Sequence, residues 1–69
     1  MERKNVNSSN LRSVGYDESN GILEIQFRTN KTYQYLGVPK SIFIGLLSAA
    51  SKGKYHHRMI KGKFSYRRS

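Results

Sequence analysis

Thr32-Tyr33-Gln34-Tyr35-Leu36-Gly37-Val38-Pro39 is the stretch where a strand pattern gives way to a helix pattern. Tyr33 and Tyr35 stand two apart, so an extended backbone directs both rings to one face. Pro39 ends the extended segment. Proline fixes φ near the helical value and lacks an N–H, which suits the first position of a helix and not a central strand. The residues before Tyr33 therefore read as β and those after Pro39 as α.

Working backward, Ile22-Leu23-Glu24-Ile25-Gln26-Phe27-Arg28 alternates Leu23, Ile25 and Phe27 with Glu24, Gln26 and Arg28. That period of two predicts a strand with one face in the core and one in water. Thr29-Asn30-Lys31 is the turn to the tyrosine strand. A three-residue loop there pairs Phe27 with Tyr33 and Ile25 with Tyr35, putting both tyrosines on the core face. A two-residue Asn30-Lys31 loop pairs Phe27 with Gln34 and turns them outward, because a slip of one residue inverts every side chain. The first register is preferred, since the second buries Thr32 and Gln34 where partners are scarce. A tyrosine stripe on a sheet also invites comparison with base-stacking platforms of RNA-recognition sheets, but a core role is the preferred reading.

Further upstream, Asp17-Glu18-Ser19-Asn20-Gly21 has turn chemistry, and Leu11 to Tyr16 reads as a first strand with Val14 and Tyr16 on one face. Residues 1–10, rich in Asn and Ser, have little to bury and are expected to be a mobile arm, leaving residues 11–69 as a single domain.

Downstream, Phe43, Leu46, Leu47 and Ala50 fall at i, i+3, i+4 and i+7, with Ile42 and Ala49 beside them, which predicts a helix lying on the sheet. Gly45 in its interior points to a close packing contact. Ser51 can cap a second helix over Lys52–Ile60, whose inward residues are Tyr55, Met59 and Ile60. The tail from Lys63 to Arg68 reads either as an edge strand or as an extended arm. The expected fold is α+β: a three-stranded antiparallel β-meander followed by two helices packed on one face.

The chain has 69 residues, enough for a small core, since a domain of this size buries only about 60% of its unfolded surface. There is no cysteine, so disulfides and thiolate zinc sites are excluded. The polar start carries no evident signal peptide, and the longest apolar-rich stretch, residues 42–50, is too short to span a bilayer. A soluble cytoplasmic protein without membrane contact is expected.

Thirteen basic residues face four acidic ones, a net charge of +9. Residues 1–37 hold five of the basic residues and all four acids, Glu2, Asp17, Glu18 and Glu24; residues 38–69 carry +8 with no acid. Uncompensated positive charge on this scale attracts polyanions. The first turn of the second helix, Ser51-Lys52-Gly53-Lys54, combines free N–H groups with two lysines and is a candidate anion site. Lys52, Lys54, Arg58, Lys61, Lys63, Arg67 and Arg68, interleaved with Tyr55, Phe64 and Tyr66, form a candidate nucleic-acid surface: the cations neutralise phosphates and an aromatic can stack a base. His56-His57 are adjacent, so on a helix they diverge by about 100° and do not chelate one metal. No carboxylate pair or nucleophile with a positioned base can be drawn, so neither a metal, a cofactor nor catalysis is expected.

The chain resembles the KTSC domain, a short module found alone in bacterial and phage proteins and at the C-terminus of some lysyl-tRNA synthetases. The resemblance runs from about Ser9 to Arg67 and rests on Val14-Gly15-Tyr16-Asp17, the alternation Leu23, Ile25, Phe27, then Tyr33-Gln34-Tyr35, Val38-Pro39, Ala50-Ser51-Lys52-Gly53-Lys54-Tyr55, Ile60, Tyr66 and Arg67. His56-His57 stand where Phe-Asn is usual, and Asn30 where Gly is usual; Asn tolerates φ > 0. Attachment to a tRNA-handling enzyme implies RNA binding by analogy. The expected function is a non-catalytic nucleic-acid-binding module, RNA before DNA. The rival is an adaptor that docks an acidic host protein or pairs with itself through a sheet edge.

Overall fold

The structure, a computed structural model, describes residues 1–68. In chain order its elements are strands β1 (Arg3–Asn5), β2 (Leu11–Asp17), β3 (Ile22–Phe27) and β4 (Thr32–Tyr35), helix α1 (Lys40–Ser48), helix α2 (Lys52–Tyr55) continuing into a π-helical segment (His56–Ile60), and strand β5 (Tyr66–Arg68). The strands form one antiparallel sheet in the order β1-β2-β3-β4-β5.

The expected three-stranded meander is thereby corrected to five strands. β2, β3 and β4 are its centre, and each end of the chain adds an edge. The segment expected as an arm contributes β1, which takes up the free backbone groups of β2: Arg3 pairs with Gly15, Lys4 with Val14 and Asn5 with Ser13. Gly15 permits this approach, because a Cβ there would collide with the Glu2 carbonyl oxygen and come within 2.9 Å of the Arg3 Cγ. Of the two readings of the tail, the edge strand is the one formed. Tyr35 pairs with Tyr66 and Tyr33 with Arg68, and the Leu36 N–H donates to the Ser65 carbonyl at 2.8 Å.

The β3–β4 loop has three residues, displaced from the expected place. It is Arg28-Thr29-Asn30: the Asn30 N–H donates to the Phe27 carbonyl and the Phe27 N–H to the Lys31 carbonyl, both at 2.9 Å. Such a loop is a turn followed by one left-handed residue. Asn30 supplies it, with φ 68°. Ile25 consequently pairs with Tyr33 and Leu23 with Tyr35. The register is two residues from the expected one, and an even shift preserves the face. Both tyrosines point to the side of Leu23 and Ile25.

That side is the core, formed by Leu11, Val14, Leu23, Ile25 and Tyr35 from the sheet with Val38, Leu46 and Ile60 from above. The helical spacing places Leu46 fully inside and Ile42, Phe43 and Leu47 against it, while α1 ends at Ser48 and leaves Ala50 exposed. Phe43 stacks on Tyr16 at 5.2 Å, and the Tyr16 hydroxyl donates to the Val38 carbonyl at 2.6 Å. Tyr55 crosses α1 at Gly45 and donates its hydroxyl to the Ile42 carbonyl at 3.1 Å. The π segment changes the inward set of the second helix. The Lys61 N–H reaches the His56 carbonyl, an i→i+5 bond. The extra residue turns Ile60 into the core, and Met59 is 41% exposed.

Candidate functional site

The two faces of the sheet carry different chemistry. On the outer face Glu24 sits between Arg3, 3.4 Å from the guanidinium, and Gln34, whose amide donates at 2.7 Å. Gln34 in turn accepts from Arg67 Nε at 2.8 Å. This ladder ties both edge strands to β3 and β4 and uses the outward charges on one another.

On the inner face the helices cover β2 and most of β3, and an open cleft of about 690 Å³ remains over the β4–β5 side. Its floor is aromatic: Phe27, Tyr33, Tyr35, His56 and Tyr66. Its rim is basic: Lys31 beside the hairpin, and Lys54, Arg58 and Lys61 from the helical side. Among the described residues no carboxylate lines it. Three of the four acids are engaged elsewhere: Glu24 pairs with Arg3 and Glu18 with Lys40 at 2.8 Å, while Asp17 holds Asn20 in the turn; the fourth, Glu2, is exposed and does not line the cleft. The rim cations are thus without a counter-charge among the described residues.

The floor rings form a connected array, with centroids of Phe27–His56 at 5.0 Å, Tyr33–Tyr66 at 5.3 Å, Tyr35–His56 at 5.6 Å and Tyr35–Tyr66 at 5.7 Å. Tyr35 Oη and His56 Nε2 share a hydrogen bond of 2.8 Å. Burial pushes the Tyr35 phenol up to about 12, with Tyr33 and Tyr66 adding to it. Burial also pulls the His56 imidazole down to about 4, with Lys61 and His57 nearby opposing a further positive charge. Both groups are neutral at pH 7.

The structure divides the basic residues singled out from the sequence. Lys54, Arg58, Lys61 and Tyr66 meet at the cleft, and Arg68 lies beside it with its guanidinium 5.9 Å from the Tyr33 centroid. Arg67 is on the opposite face because it pairs with Gln34. Lys52 donates to the Ala49 carbonyl at 3.1 Å, closing the end of α1, and Lys63 lies on the loop before β5, outside the cleft. At the start of α2, Ser51 Oγ accepts from the Lys54 N–H at 3.4 Å, and the Asn10 side chain packs over Gly53. Lys31, Tyr33 and His56 are cleft residues that sequence reasoning did not assign to the site. Tyr33 shares the strand face of Tyr35, but only the strand pairing reveals that Tyr35 is buried while Tyr33 opens to the cleft.

The family profile of the KTSC domain matches residues 7–64 of this chain. The chain belongs to the KTSC family. A crystal structure of a KTSC domain protein from Yersinia pestis superimposes with a TM-score of 0.96 at 50% identity, covering 99% of this chain and 96% of that one. A protein of Stutzerimonas stutzeri, described as uncharacterized, is 39% identical over 61 residues, which is 88% of this chain and 86% of the relative. The lysine–tRNA ligase of Trichormus variabilis is 36% identical over 56 residues, 81% of this chain but 10% of the ligase. The KTSC module here thus corresponds to a small part of that enzyme. Among the described residues no group of three or more metal-binding side chains occurs, and no helix is long and apolar enough to cross a membrane.

Proposed function

We propose that this KTSC domain is a non-catalytic module that binds nucleic acid, RNA before DNA, in the cytoplasm. The observation that carries the proposal is the cleft: four cations, Lys31, Lys54, Arg58 and Lys61, surround aromatic rings, with no acid among the described residues that line it. Lysine and arginine bind phosphate oxygens, which carry no sequence information, so the binding is weakly sequence-specific. The similarity to a segment of lysine–tRNA ligases supports RNA over DNA. The chemistry of the Tyr35–His56 pair supports a binding rather than a catalytic role: a phenol raised to about 12 keeps its proton, and an imidazole lowered to about 4 is a poor base.

Fluorescence anisotropy with labelled single-stranded RNA, tRNA and duplex DNA tests this. The log–log salt dependence is expected to have a slope of roughly −3 to −5, which corresponds to about four to six phosphates. Replacing Lys54, Arg58 and Lys61 together by Ala should weaken binding and flatten the slope by about 2 to 3, at about 0.7 to 0.9 per phosphate. Unchanged affinity overturns the assignment.

The rival reading, an adaptor for an acidic protein or for a second copy, draws support from the two exposed edge strands, β1 and β5. An adaptor copurifies with a protein at high salt. A nucleic-acid binder carries nuclease-sensitive material absorbing at 260 nm.

A further inference from the structure

We infer that the cleft accepts one unpaired nucleotide of a single strand, with its base stacked on the outer face of Tyr66 and the adjoining phosphates on Lys61 and Arg58. This rests on the nucleic-acid reading above and adds to it the element recognised, a base face rather than backbone alone.

Tyr66 is 59% exposed, while Tyr35, with which it pairs, is 4% exposed. Its backbone is held by pairing with Tyr35 and by the adjacent Leu36–Ser65 hydrogen bond, so the ring is positioned before any ligand arrives. On its inner side it packs on Tyr33 at 5.3 Å and 50° and on Tyr35 at 5.7 Å and 44°. These are the separations of rings in direct contact, which leave no slot for a third ring between them. The Arg68 guanidinium lies 5.9 Å from the Tyr33 centroid. The free aromatic face is therefore that of Tyr66.

Around it the charges are one-sided. Lys61 and Arg58 line the same cleft as Tyr66, and among the described residues no carboxylate does. An apolar partner would leave those cations without an anion, and an acidic peptide would leave the ring without a flat partner. A nucleotide satisfies both, because it joins a planar π-face to phosphate. The volume, about 690 Å³, lies within the roughly 300–1,000 Å³ range of small-ligand sites, which suits a single nucleotide unit. A duplex keeps its base faces stacked on one another, so it reaches only the cations.

The test compares a short single-stranded RNA with the same oligomer carrying abasic sites, at one salt concentration, against the wild-type protein, Tyr66→Ala and Tyr66→Phe. Wild type should bind the intact oligomer roughly 5- to 150-fold more tightly than the abasic one, the range for one base–aromatic stack. Tyr66→Ala should lose that factor on the intact oligomer and nothing on the abasic one, with its salt slope unchanged. Tyr66→Phe, which keeps the ring, should restore it. Tyr66 is exposed, and the wild-type comparison of the two oligomers needs no variant. Equal wild-type binding to intact and abasic oligomers overturns the stacking inference while leaving phosphate binding in place. Binding to neither overturns the nucleic-acid reading as well.

Discussion

His56 and Tyr35 show how much one hydrogen bond depends on its surroundings. The imidazole packs edge-on against Phe27 and bonds the hydroxyl of a tyrosine that is only 4% exposed. Its value of about 4 lies below the ordinary 6.5. Above pH 6.5 the ring is neutral in both folded and unfolded chains, so it imposes no penalty. As pH falls from 6.5 to about 4, the unfolded chain takes up a proton that the folded one refuses, and stability declines through that window. His56→Phe keeps the ring packing but strips Tyr35 of its partner. Urea unfolding should show a loss of about 1–3 kcal/mol at pH 7, the cost of an unsatisfied buried hydroxyl. The same variant should decline less than wild type between pH 6.5 and 4; an equal decline assigns the acid sensitivity to other groups. None of this was legible in His56-His57 as a dipeptide. The dipeptide did not say which of the two packs inward: His56 is half-buried and bonded to Tyr35, while His57 is exposed.

Among the elements, the two helical pieces meet through a glycine. Gly45 sits in the interior of α1, where Ala is favoured by about 1 kcal/mol on propensity alone. The ring of Tyr55 occupies the space: a Cβ on Gly45 would lie 2.8 Å from its Cζ and closer still to its hydroxyl. Gly45→Ala is therefore expected to destabilise by about 1–3 kcal/mol, the usual cost of overpacking, against its propensity gain. Chemical denaturation measures it; a more stable variant would mean that Tyr55 swings aside without loss. A close contact at Gly45 was readable from the sequence, because glycine in a helix calls for a reason. Its partner was not, since Tyr55 belongs to another helix. The hairpin behaves similarly. The cost of burying Thr32 and Gln34 put Tyr33 and Tyr35 on the core face, while the one-residue displacement of the loop, and with it the two-residue shift in register, followed from Asn30 taking the left-handed position.

For the whole molecule, charge sets the behaviour in solution. A net +9 with two ion pairs among the described residues leaves repulsion that salt screens within about 10 Å at 0.1 M. The free protein is expected to gain thermal stability as salt is raised, on the order of 5 °C, the shift that about 1 kcal/mol produces in a domain of this size. Binding to RNA should weaken over the same range. A melting temperature that does not rise would show that the cations are spaced widely enough not to interact. By itself the sequence determined the β-then-α order as far as Ile60, the face carried by each central strand, the core stripe of α1 and the concentration of positive charge after Gly37, because periodicity and composition are local properties. The tertiary structure alone decided that both chain ends join the sheet, that Arg67 and Arg68 face opposite sides, and that Tyr33, Tyr66 and four cations surround one cleft. Those outcomes depend on pairing between segments far apart in the chain, where three exposed residues acquire a strand's conformation only from the edge they meet.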